Sequence, residues 1–179
     1  MVGPGPRVPP LPVGSRIRVG EVPQVLLRVG EVRSGAGAYS DGETVDGNAL
    51  DRWVDRAREL CAASGRLAVC DVTIGELLAH APHEMDGTWP CLPVREVIER
   101  VEGDELGRGL HCGIMNSRGT TSRSMTEGGA QERVLVRKYR QYAEACRTSS
   151  PRTAAVLRRV AHDYERQAKR EDEEVEDRW

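Results

Sequence analysis

A chain of 179 residues and 19.7 kDa, with a net charge of −2, is one domain's worth of protein. Its 39% hydrophobic residues include no Phe, enough for one modest core poor in aromatics. No window reaches the length of a membrane span, no secretory leader opens the chain, and its five cysteines form no CxxC pair. These features indicate no membrane-spanning helix, disulfide framework or zinc ribbon, and a soluble cytoplasmic protein with reduced thiols is expected.

Residues 1–40 are rich in Pro, Gly, Val and Arg, and the run Arg-Val-Gly-Glu-Val occurs there twice. Proline fixes φ and removes a donor, so a loosely ordered arm is expected, disordered or forming short β-segments. The helical domain is placed at 41–170, with a charged tail at 171–179 that frays or projects as solvated helix.

Hydrophobic periodicity in the body predicts about six helices. Asp46 caps the first, which runs to Ala63 with Leu50, Trp53, Val54, Ala57, Leu60 and Cys61 on one face, and Gly65 ends it. Asp71 or Thr73 opens a short second helix (Ile74, Leu77, Leu78, Ala81) that Pro82 stops. Asp86-Gly87 marks a turn. Pro93 begins a third helix through Val94, Val97, Ile98 and Val101. Asp104 caps a weaker fourth, diluted by Gly107, Gly109 and Gly113.

Residues 116–131 hold one large apolar residue, Met125, and form a long connection that is functional or mobile. A fifth helix then runs to about Arg147 with Leu135, Tyr139, Tyr142, Ala143 and Cys146 facing inward. Ser150 caps the last helix and Pro151 starts it, with the stripe Leu157, Val160, Ala161, Tyr164 and Ala168. Two such stripes predict an antiparallel helical hairpin closing an all-α fold.

The segments IGELLAHAP, DGTWP, VREVIE, NSRGTTSR, EGGAQER, KYRQYAE, PRTAAVLR and YERQAKREDEEVE follow in order over about 125 residues. In these the body resembles a module shared by actinobacterial and rhizobial proteins, either standing alone or at the C-terminus of longer chains. The resemblance implies a bacterial helical module and supplies no activity, cofactor or catalytic residue.

Charge is segregated: residues 1–40 are net +3, 41–107 net −9 and 116–140 net +4. Opposed patches on one small protein point to a protein contact or self-association. His80, His83, Cys91, His111 and Cys112 offer metal ligands in name, but zinc needs ligands on one helical face or in a tight knuckle. Adjacent His111 and Cys112 would point about 100° apart on a helix. No nucleophile elbow is present, and the acidic pairs read as solvated helix faces. Neither an enzyme, a cofactor nor a small-molecule substrate is expected.

The candidate binding residues are Arg118, Arg123, Arg133, Arg137, Lys138 and Arg140. They lie in a Gly/Ser/Thr-rich loop and on the helix after Gly128-Gly129, whose free amides could bind an anion. Six cations over 23 residues could engage roughly four to six phosphates, which makes nucleic acid the alternative partner. The primary expectation is a non-enzymatic module that binds another protein, or itself, through its acidic and basic faces.

Overall fold

The computed structural model describes residues 45–119, 122, 124 and 127–177. The expected arm at 1–40 lies outside the described residues. Six helices follow in order: α1 (Gly47–Ala63), α2 (Leu67–Leu78), α3 (Leu92–Arg100), α4 (Glu105–Ser117), α5 (Ala130–Cys146) and α6 (Pro151–Glu176). Among the described residues there is no strand, so the body is all-α as its periodicity predicts.

Local chemistry sets the ends of α1. The Asp46 carboxylate accepts a hydrogen bond from the Ala49 amide at 3.0 Å, filling one of the donors that a helix start leaves over. At the other end Gly65 takes φ +69°, and its amide and that of Arg66 donate back to the Ala62 and Cys61 carbonyls. The second helix starts at Leu67, ahead of the expected opening at Asp71 or Thr73. Asp71 is buried instead and accepts from Arg58 Nε and Nη2 at 2.8 and 3.3 Å, which ties α1 to α2.

The glycines expected to weaken α4 have a packing role. A Cβ on Gly109 would run into the Val72 carbonyl, and one on Gly75 into the Leu106 carbonyl. Their absence lets the α2 and α4 backbones meet, with Ile74, Leu78, Leu106 and Leu110 buried around the contact. From the other side Leu50, Trp53 and Val54 of α1 and Val94, Val97 and Ile98 of α3 complete this part of the core.

The connection after α2 is more than a turn. Asp86 accepts from the Thr88 amide at 2.8 Å, as a turn residue should. Beyond it Trp89 is buried, donates its indole N–H to the Ala81 carbonyl at 2.8 Å, and lies edge-on to Tyr139 of α5 with ring centres 6.3 Å apart. Three tyrosines gather beside it: Tyr139 stacks on Tyr164 of α6 and meets Tyr142 edge-on.

Helices α5 and α6 form the expected antiparallel hairpin. Val136, Tyr139, Ala143 and Cys146 face Leu157, Val160, Ala161, Tyr164 and Ala168, all buried. Ser150 makes no side-chain capping bond. The α6 start is capped by α3, where the Glu99 carboxylate accepts from the Arg152 and Thr153 amides at 3.1 and 2.8 Å. A carboxylate at a helix N-terminus also meets the positive end of its dipole. The charged end, expected to fray or to project as solvated helix, is helical through Glu176. No helix of the described residues is long and apolar enough to cross a membrane.

Candidate functional site: the basic segment on the last hairpin

The six candidate cations do not form one patch. Arg123 lies outside the described residues. Arg118, at the C-cap of α4, points inward, where its guanidinium meets the Glu132 carboxylate of α5 at 2.5 Å and the Gln167 side-chain oxygen of α6 at 3.4 Å. It also lies over the Tyr164 ring, 5.7 Å from its centre. The Glu132 side chain is fully buried, so this ion pair is an internal tie among three helices.

Arg133 turns toward α6 and is held by both Asp172 oxygens, at 2.7 and 3.2 Å. The same carboxylate accepts from the Gly129 amide at 2.9 Å. The opening of α5, expected as a place for an external anion, is thus served by an anion of the chain itself. These two donors, the Arg133 guanidinium first and the Gly129 amide second, hold the Asp172 carboxyl below its ordinary value. One heptad further on, Arg140 pairs with Glu165 of α6 at 2.9 Å.

Two candidates keep their charge toward solvent. Arg137 is exposed and makes no ion pair among the described residues. Lys138 is exposed too, and its ammonium sits over Tyr139 and Tyr142, 5.7 and 5.8 Å from the ring centres. Tyr142 shares a 2.8 Å hydrogen bond with His83, whose pKa is lowered by partial burial and then by the nearby Lys138 charge. Fully exposed Met85 lies two residues along the same connection, and Val134, one turn before Lys138, is another large apolar side chain left in water.

The metal-ligand candidates are dispersed as well. His83 is engaged by Tyr142, His111 by Asp163 of α6 at 2.8 Å, and Cys91 is buried with its thiol pushed up to about 11 by desolvation. Sequence reasoning missed Glu132, Asp172 and Glu99, the acids that organise the hairpin. For Asp172 and Glu165 the signal was present: the spacings Arg133–Arg140 and Glu165–Asp172 are both seven residues, as two facing helices require.

After this pairing, the described cations without an ion pair include Arg137 on α5 and Arg158 and Arg159 on α6. The exposed acids without one include Glu96 on α3 and Glu102 and Asp104 just after it. No protein-family model, curated protein or solved structure matches the chain.

Proposed function

We propose that this chain is a non-enzymatic interaction module that contacts another protein, or a second copy of itself, through separate acidic and basic surfaces. The observation that carries this reading is the internal use of the basic segment. Arg118, Arg133 and Arg140 are matched by Glu132, Asp172 and Glu165, and charges of both signs are left over, among them Arg137 and Arg159 on the hairpin and Glu96 and Glu102 on and after α3. Exposed Met85 and Val134, with Tyr142 and Lys138 nearby in sequence or space, add the apolar and aromatic content that protein contacts favour. The phosphate-binding alternative keeps only Arg137 and Lys138 as described cations of its segment without a carboxylate partner, and Lys138 is already over two rings. Kinship with the actinobacterial and rhizobial helical module is part of the same proposal.

The test reverses charge without touching the internal pairs. Arg137→Glu with Arg159→Glu alters the basic surface, and Glu96→Lys with Glu102→Lys alters the acidic one. Each double variant should keep the wild-type melting temperature, and at least one should lose partners that the immobilised wild type captures at about 50 mM salt. Identical captured sets for wild type and both variants would sink the reading.

A further inference from the structure

The cross-hairpin ion pairs follow a ladder of seven. Arg133 meets Asp172, and seven residues along each helix Arg140 meets Glu165. The next step of seven falls on Arg147 and Arg158, so by spacing the ladder has an arginine on each helix here and no acid of its own. Arg147 turns back to Glu144 of its own helix in an exposed pair, and Arg158 has no ion pair among the described residues. At this level the hairpin holds a groove of about 360 Å³, floored by Ala143 and Ala161 and rimmed by Arg140, Glu144, Arg158, His162 and Glu165. The small floor residues leave room for a side chain from outside, and Arg158, the rim arginine without an ion pair among the described residues, asks for an acid.

The acids that fit are at the far end of the same helix. Residues 171–176 hold five acids and no base. Acids at a helix C-terminus oppose the dipole, and α6 has no basic residue in its last turn to offset them. Glu173 and Glu176 are exposed and make no ion pair among the described residues.

Arg158, His162, Glu165, Lys169, Glu173 and Glu176 recur at three- and four-residue steps and so share one face of α6. A two-fold axis at the level of Gln167 exchanges Arg158 with Glu176, nine residues to either side, and Glu165 with Lys169, two to either side. The same operation sets His162 against Asp172 and its neighbour Glu173. The pairs 158–176 and 165–169 are thereby of opposite charge, and His162 meets an acid.

We propose that two copies of this chain associate antiparallel along α6, the acidic end of each helix seated in the other's groove. Such an interface is isologous, so each contact occurs twice. The inference rests on the interaction-module reading and narrows it, naming the partner as a second copy. Because the contacts are charged and at the surface, salt should weaken them.

Sedimentation velocity of the full chain at about 50 and about 500 mM salt reads this directly. A dimer is expected at the lower salt and a monomer at the higher. Arg158→Glu alone and Glu176→Arg alone should each weaken the dimer about tenfold or more, since each places two like-charge contacts in the interface. Mixing the two variants should restore wild-type association, because every 158–176 contact is then opposite in sign again. Circular dichroism of each variant checks that the helices are intact. A wild type that is monomeric at the lower salt, or a mixture no tighter than its components, would overturn the self-pairing. Neither result touches the wider reading, whose charge reversals at Arg137, Arg159, Glu96 and Glu102 lie off this stripe.

Discussion

Arg118 leaves the end of α4 and finishes between α5 and α6, on Glu132, Gln167 and the Tyr164 ring. A fully buried carboxylate is tolerated because a guanidinium is held against it, and removing one partner of such a pair leaves a charge stranded away from water. Arg118→Ala should therefore cost about 3 kcal/mol of stability, read as a lower urea midpoint at unchanged slope. A surface arginine reserved for phosphate would instead give a change within about 0.5 kcal/mol. In the sequence Arg118 and Arg137 are indistinguishable cations of one basic segment. Burial separates them, and burial at position 118 depends on helices that arrive later in the chain. Glu132 was equally hidden: an acid in the first turn of a helix has a sufficient local reason to be there, the dipole, and that reason masked its tertiary one.

Periodicity and capping are local, and at the scale of the element they carried most of the reading. The α1 cap at Asp46, the stop at Gly65, the Pro-led starts of α3 and α6 and the stripes of the hairpin all follow from residues within one or two turns. Starts that depend on a partner did not follow. The α6 cap comes from Glu99, some fifty residues upstream, and Asp71 was read as a helix opener when its carboxylate is spent on Arg58. The α4 glycines teach the same point through sterics. In an exposed helix Gly→Ala gains about 1 kcal/mol. At Gly109 the new methyl would meet the Val72 carbonyl, backbone that cannot step aside as a side chain would. Gly109→Ala should accordingly destabilise by about 1–3 kcal/mol in thermal or urea unfolding. A gain in stability would show that α2 and α4 do not approach as closely as described.

The positive charge of the basic segment is largely matched inside the fold. The basic segment 116–140 was weighed against the acidic stretch 41–107, yet its arginines find their acids elsewhere, at Glu132 on α5 and at Glu165 and Asp172 on α6. Within the acidic stretch Arg100 draws Asp51 and Asp55 together and Arg58 takes Asp71. What is left at the surface is a smaller set of cations and a few exposed apolar side chains, and on these the proposed protein contact rests. Affinity for nucleic acid rises with the number of cations free to displace counterions, and internal pairing removes them from that number. The most direct test is fluorescence anisotropy of labelled DNA and RNA titrated with the full chain at about 50 and about 200 mM salt. No saturable binding is expected at the lower salt. Tight binding that falls by orders of magnitude at the higher salt, with a slope of about four or more phosphates, would contradict it.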